Sequence, residues 1–241
     1  NIPEASRQAR GKAIVNLLEM QGNEIVTAFV PVRNFDNAHY LIMSTKKGTA
    51  KKTGLMAYSN PRKNGIVAIT LEKDDELINV ELTDGNQQII LATKNGNAVR
   101  FEEENVRPTG RSAHGVRGIS LKENDEVIGM VVASDDKTLL SVTENGYGKR
   151  TPISEYRLIN RGGSGVINIQ CSERNGNVVA ICSLSDNDDV IFISKNGIII
   201  RVPASDISVI GRNTQGVRIM KLEENDKVVS AIRVEQNNNS N

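Results

Sequence analysis

Short runs that alternate apolar and polar residues recur along the chain, separated by tight turns containing glycine. Where an Asn-Gly or Lys-Gly pair divides two such runs, the pattern predicts a β-hairpin, because the central residues of a type I′ turn take positive φ. The hairpin glycines share a period of about 50 residues, and such a period indicates a repeat architecture. They are Gly48, Gly96, Gly146 and Gly197. A second set with the same period precedes apolar runs: Gly11, Gly65, Gly115, Gly165 and Gly216.

Each period holds four predicted strands. In one unit they span 116–121, 127–133, 138–143 and 147–151, and in the unit before it 66–71, 77–82, 88–93 and 98–101. No stretch has a convincing helical period, and 102–105 allows one helical turn at most. Four short antiparallel strands per repeat predict an all-β, propeller-like array with one four-stranded blade per repeat. A β-solenoid is the alternative.

The repeats leave no internal linker, so we predict one domain over residues 1–235. Its repeat units are roughly 12–64, 65–114, 115–164, 165–215 and a partial 216–234. The Asn-rich segment 236–241 is predicted to be a flexible polar tail. Because the chain begins at Asn1 within what reads as a repeat, we expect it to be a fragment of a longer protein.

Composition narrows the class of protein. Hydrophobic residues make up 38% of the chain, which is enough for a packed core. Aromatic residues make up only 3%, too few for an extended base-stacking platform. No apolar run is long enough for a membrane helix, and no signal peptide is visible. Two cysteines, Cys171 and Cys182, do not suggest a disulfide framework. These features predict a soluble cytoplasmic protein.

The net charge is only +1, from 30 basic and 29 acidic residues, but the charges are sorted along the repeat. A basic residue follows each hairpin glycine by four positions, and the glycine loops carry further arginines. Acidic residues gather in other turns, at 72–76, 123–126 and 223–226. If the blades are equivalent, the basic turns share one surface and the acidic turns another.

Two interpretations of the basic residues are open. Charged turns keep a propeller soluble, and basic residues on edge strands discourage edge-to-edge pairing. Alternatively, a continuous basic band follows the phosphate backbone of DNA, aided by main-chain N–H groups of the glycine loops. With no recognition helix or zinc-finger spacing, such binding would be independent of sequence. The candidate DNA contacts are Lys52, Arg100, Arg111, Arg117, Lys149, Arg150, Arg161, Arg201, Arg212 and Arg218.

Other chemistry finds little support in the sequence. His39 and His114 have no cysteine or carboxylate at metal-ligand spacing, and the acidic stretch 186–189 lacks a calcium-loop pattern. No phosphate-binding loop of nucleotide hydrolases is present. Tyr147, beside two basic residues, fits a packing or phosphate-contact role better than a catalytic one. We therefore expect no catalytic residue, no bound metal and no cofactor in this chain.

Several loops resemble one known family. They are 2–11, 107–119, 211–217 and the Glu-Asn-Gly-Tyr-Gly-Lys-Arg-Thr stretch at 144–151. Over almost the whole chain the sequence is similar to the C-terminal domain of the A subunit of DNA gyrase. This resemblance implies a β-pinwheel, six-bladed in the family, that wraps double-stranded DNA around its rim and supports ATP-dependent negative supercoiling. It also implies a bacterial, nucleoid-associated cytoplasmic location, and its protein partners would be the rest of the A subunit, plus the B subunit. The cleaving tyrosine, ATP and magnesium would then belong to other parts of that enzyme.

The sequence departs from the family at one motif. The gyrase box, Gln-Arg-Arg-Gly-Gly-Lys-Gly in the first blade, is absent, and 7–12 matches it only superficially. The alignment therefore implies that most of the first blade is missing, with degenerate counterparts of the box at 111–117, 161–165 and 212–218. The C-terminal domain of the topoisomerase IV A subunit, or a protein-interaction propeller without a DNA role, are the alternatives.

Overall fold

A computed structural model of the chain describes residues 24–62 and 65–235, together with Ser6, Ala9 and Met20. Within these residues the fold is all-β, with short 3-10 turns and no long helix. The strands are β1 (Tyr40–Thr45), β2 (Thr49–Gly54), β3 (Leu77–Thr83), β4 (Gln88–Thr93), β5 (Asn97–Glu102), β6 (Val116–Arg117), β7 (Val127–Ala133), β8 (Thr138–Thr143), β9 (Tyr147–Pro152), β10 (Val166–Ile167), β11 (Val178–Leu184), β12 (Asp189–Ser194), β13 (Ile199–Pro203), β14 (Val217–Arg218) and β15 (Val228–Val234).

The strands form four antiparallel sheets that act as the blades of a propeller-like array. The strand orders are β3-β1-β2-β6, β10-β5-β4-β7, β11-β8-β9-β14 and β13-β12-β15. Strands β3, β7, β11 and β15 contact one another from sheet to sheet and lie innermost. The two-residue strands β6, β10 and β14 lie at the opposite, outer edge. The predicted all-β, propeller-like class is confirmed.

The prediction that the four strands of one sequence repeat form one blade is wrong. Each of the first three hairpins pairs on its inner side with a strand from the following repeat and on its outer side with a strand from the repeat after that, and the hairpin β12–β13 has the inner partner alone among the described residues. The hairpin β1–β2, for example, lies between β3 and β6. Neighbouring sheets are therefore linked by shared chain segments as well as by packing.

The predicted strands agree with the observed ones at most positions, with two exceptions. The segment predicted at 116–121 is reduced to the two residues of β6, and 66–71 forms no strand. Strands β6, β10 and β14 each pair with a hairpin that lies two repeats earlier. By the same relation 66–67 would pair with a hairpin preceding β1, and the described residues contain no such hairpin. The predicted tail, 236–241, lies outside the described residues.

The hairpin turns need glycine for two reasons. Gly96 and Gly146 have φ of +85° and +80°, a region that side chains with Cβ rarely adopt. A Cβ on Gly146 would also lie 2.3 Å from the carbonyl oxygen of Met220, because the following glycine loop packs directly on the turn. This contact between a loop carbonyl and a hairpin turn holds the glycine loop in place at the outer edge of the array.

The core lies between the sheets rather than inside any one of them. Ile42 of β1 packs in one cluster with Leu91 and Phe101 of the second sheet, and all three are fully buried. Similar clusters fill the other two spaces between adjacent sheets. Both faces of an inner sheet are consequently covered, and the outermost strands and loops are the parts left accessible.

Candidate nucleic-acid interface

Three of the four basic residues that follow a hairpin glycine by four positions point into the molecule. Lys52, Arg100 and Arg150 are only 4%, 7% and 3% exposed. Their side chains donate hydrogen bonds to carbonyl oxygens at the short 3-10 turns of the next repeat: Lys52 Nζ to Glu103 O at 3.1 Å, Arg100 Nη1 to Ile153 O at 3.0 Å, and Arg150 Nε to Ile207 O at 3.0 Å. Each side chain thus fastens one blade to the next.

Carboxylates compensate these buried charges. Lys52 Nζ lies 3.7 Å from Glu103 Oε1, and Arg100 Nη2 lies 2.7 Å from Asp135 Oδ1. Arg150 pairs with Asp186 in the same way. The structure thus gives Lys52, Arg100 and Arg150 partners between the blades. That they contact DNA stays a prediction, which their burial does not favour.

Lys149, the fourth candidate in a central strand, is fully buried as well. Its Nζ donates to Thr151 Oγ1, Gly211 O and Arg212 O at 2.7–3.0 Å. Burial lowers the pKa of Lys149 from 10.5 to about 8. Lys51 holds two chain segments in the same manner, the glycine loop at residue 111 and the segment at residue 68, through their carbonyls. In this structure Lys149 anchors a glycine loop, and its contact with DNA stays a prediction that its burial does not favour.

Arg201 occupies the equivalent position in the last sheet but is exposed. Its guanidinium Nε donates to Asp189 Oδ2 at 2.8 Å, and 58% of the side chain is accessible. Its counterparts hold the 3-10 turn of the next repeat, and the described residues contain no such turn beyond the one at Ala204–Asp206 in its own repeat. Arg201 therefore lies on an accessible surface.

The glycine loops carry a regular row of arginines on the outside of the array. We call this surface the rim; it consists of β6, β10 and β14 with the loops 107–115, 157–165 and 208–216 that lead into them. Arg111, Arg161 and Arg212 each donate through Nη1 to a carbonyl of the preceding loop, two residues after its glycine. The acceptors are the carbonyls of residues 67, 117 and 167, at 3.3, 3.0 and 2.9 Å. The arginines thus connect successive rim segments in a row.

These arginines keep hydrogen-bonding capacity for a ligand. A guanidinium has five N–H donors, and the contacts to the preceding loop use one or two of them. Arg117 and Arg218 lie in the outermost strands and are exposed. Arg111, Arg117, Arg161, Arg212 and Arg218 are the predicted residues that the structure brings together on the rim. Arg107 and Arg157, exposed at the start of two rim loops, extend the same surface.

The acidic turns lie against the hairpin turns. Asp75 Oδ1 accepts the N–H of Lys47 at 2.9 Å, and Asp125 Oδ1 accepts that of Asn95 at the same distance. Lys46 also lies between Glu76 and Glu126, at 3.5 and 3.6 Å. The carboxylates therefore have structural partners at the hairpin turns.

Arg174 is a basic residue that sequence reasoning missed. It lies in the turn before β11, with its guanidinium carbon 4.9 Å from the ring centre of Tyr147. The sequence contained a signal that this turn differs from the corresponding turns before β3, β7 and β15, because it has Asn175 where they have an aspartate. In the described part of the chain, no group of three or more His, Cys, Asp or Glu side chains is placed to hold a metal ion.

The chain matches a family model described as DNA gyrase C-terminal domain, beta-propeller, at residues 1–33, 39–84, 87–134, 137–184 and 188–235. The DNA gyrase A subunit of Salmonella typhimurium is 45% identical over 233 residues, which are 97% of this chain and 26% of the relative. The corresponding subunit of Halalkalibacterium halodurans is 52% identical over 234 residues, covering 97% and 28%. The chain spans about a quarter of the length of these relatives.

Solved structures share the fold. The C-terminal domain of DNA topoisomerase IV aligns with a TM-score of 0.88 at 28% identity, over 93% of this chain and 71% of that one. A DNA gyrase A C-terminal domain aligns with a TM-score of 0.84 at 26% identity, over 94% and 76%. No helix in the described ranges is long and apolar enough to cross a membrane. With the family model matched along nearly its whole length, the chain belongs to the DNA gyrase C-terminal domain family.

Proposed function

We propose that this chain binds, bends and wraps double-stranded DNA without sequence preference, as the C-terminal domain of a gyrase A subunit. The observation that carries the proposal is the row of rim arginines, in which Arg111, Arg161 and Arg212 repeat at equivalent positions from loop to loop. A repeating row of fixed cations suits a polymer with a repeating charge. Contacts of this kind fall on phosphates and carry no sequence information.

Wrapping explains why the cations recur in each repeat. Bending a DNA segment of 20–30 bp by 40–90° costs about 1–6 kcal/mol, and the cost grows with the length that is wrapped. Phosphate contacts spread along the rim offset this cost as it accumulates. A single basic cluster would hold the duplex at one point without holding it bent.

In the holoenzyme the domain would support ATP-dependent introduction of negative supercoils. Its protein partners are then the rest of the A subunit, plus the B subunit, and the cleaving tyrosine, ATP and magnesium act in those parts. The domain itself contributes no catalytic residue or cofactor in this proposal. Its location is the bacterial cytoplasm, associated with the nucleoid and not with a membrane.

Salt-dependent binding tests the rim directly. The affinity of the 241-residue chain for a duplex is measured across salt concentrations, and each phosphate contact adds about 0.9 to the slope of log affinity against log salt. Arg117→Gln, an exposed rim residue, is expected to lower that slope by about one for every duplex sequence tested. Lys122→Gln is the matched control, since Lys122 is exposed in an acidic turn. Equal slopes for both variants and the wild type would reject the rim as the DNA surface.

Wrapping needs a separate measurement, because binding alone does not show it. A nicked plasmid is ligated in the presence of the chain, and the linking-number distribution is read after the protein is removed. Wrapping with a defined hand is expected to shift the topoisomers toward positive values. Binding without a shift would limit the function of these blades to gripping the duplex.

A further inference from the structure

One turn on the surface formed by the hairpin turns differs from its counterparts. We call this surface the hairpin-turn face; it carries the turns 45–48, 93–96, 143–146 and 194–197. The turns that precede β3, β7 and β15 each place an aspartate on a hairpin N–H. The turn before β11 has instead Asn175, which is fully buried and holds Gln170 O and Gln215 O through its amide. A carboxylate is thus lost from this part of the face.

The same turn brings in a cation. Arg174 is exposed, and its guanidinium carbon lies 4.9 Å from the ring centre of Tyr147. Arg218, from the rim strand β14, lies 5.3 Å from the same ring and donates from Nη2 to Tyr147 Oη at 2.9 Å. Three successive repeats supply these side chains. They meet at the corner between the rim and the hairpin-turn face.

Neither guanidinium has an acidic partner in the part of the chain that the structure describes. Within the described ranges no carboxylate pairs with Arg174 or Arg218. The acid nearby on the hairpin, Glu144, has its oxygens 3.6 Å from Lys227 Nζ and 3.1 Å from the N–H of Asn177. Hydrogen bonds from both arginines hold the pKa of Tyr147 below its usual value, which reflects the uncompensated positive charge around the phenol.

The ring also fixes the arginines in place. Tyr147 is only 6% exposed, so it is a rigid base for two side chains that are themselves accessible. A guanidinium held against an aromatic ring has lost much of its rotamer freedom before a ligand arrives. Two guanidinium groups held in this way present paired N–H donors whose spacing matches the oxygens of a phosphate.

We propose that Tyr147, Arg174 and Arg218 form a binding site for one phosphate group of duplex DNA. The inference rests on the proposed function and adds a contact outside the row of loop arginines. The site is specific to the third sheet, because the residues equivalent to Tyr147 in the other hairpins are Thr49, Asn97 and Ile198. A duplex that follows the rim is drawn toward the hairpin-turn face at this one blade.

The test compares Arg174→Gln with Lys122→Gln in the full chain, since both positions are exposed and lie in corresponding turns. Arg174→Gln is expected to lower the salt slope of duplex binding by about one, while Lys122→Gln leaves it unchanged. A reduced slope for Arg117→Gln with an unchanged slope for Arg174→Gln would reject this site and leave the rim proposal standing. No duplex binding by the wild type at low salt would reject both.

A spectroscopic measurement covers the case in which a variant folds poorly. The chain has four tyrosines, so 3-fluorotyrosine labelling gives a small set of fluorine signals, and Tyr147→Phe assigns the relevant one. Added duplex is expected to shift the Tyr147 signal over the concentration range in which the duplex binds. Inorganic phosphate should shift the same signal at far higher concentration. A signal that moves with polyglutamate and not with duplex would assign the site to an acidic protein instead.

Discussion

Replacing Lys52 with methionine separates a structural role of the buried basic residues from a role in DNA binding. Lys52 Nζ lies 3.7 Å from Glu103 Oε1, and the two side chains are 5% and 0% exposed. Methionine fills a similar volume but leaves the Glu103 carboxylate buried, with Thr83 Oγ1 and the N–H of Gln87 as its remaining donors. Removing one partner of a buried ion pair costs about 3–5 kcal/mol. The free energy of unfolding of Lys52→Met should therefore fall by about that amount.

The loss is measured by thermal and urea unfolding, followed by circular dichroism. For a chain of this size, 1 kcal/mol shifts Tm by about 2–4 °C, so the expected decrease is on the order of 10 °C. Removing both charges in Lys52→Met/Glu103→Leu should recover part of the loss. The control Arg117→Gln changes an exposed residue and should stay within about 0.5 kcal/mol of the wild type. A Lys52→Met variant with unchanged Tm and a salt slope lowered by about one would refute the reasoning.

Two further predictions concern the turns and the anchored lysine. Gly96→Ala places a Cβ 2.2 Å from the Ile169 carbonyl oxygen at a φ of +85°, so we expect a loss of more than about 2 kcal/mol in urea unfolding; Gly110→Ala, with open space around it, should match the wild type. Burial lowers the pKa of Lys149 from 10.5 to about 8, so the unfolded chain binds more protons between these values. The stability of the wild type relative to Lys149→Met should therefore rise from about pH 8 to pH 10. A flat difference across this range would contradict that assignment.

Much of the architecture follows from local sequence. The hairpin glycines and the alternating runs predicted β4, β7 and β8 with their observed bounds. These features could be predicted because a tight turn and its two strands are fixed by neighbouring residues. The pairing of β6 with β2 could not, since it joins segments from repeats far apart in the chain.

The basic residues show where a periodic pattern misleads. Lys52 and Arg150 recur with the same period as the true rim residues, so periodicity alone could not divide the two groups. A basic strand residue usually indicates a solvated sheet face. Here neighbouring sheets pack face to face, and a cation on a face that lies between two sheets meets protein. The loop position of Arg111 and Arg161 was the better guide to accessibility.

The sharing of strands between repeats has a consequence for how such arrays change in length. Every pairing joins elements at fixed numbers of repeats: a hairpin takes its inner strand from the next unit and its outer strand from the one after. A duplicated segment of one full period, inserted at any phase, therefore preserves all of these relations. Recombination needs no breakpoint at a blade boundary, because no such boundary exists along the chain. A blade is then gained or lost by a change in the number of sequence repeats, and only the strands at the two ends of the array must find new partners.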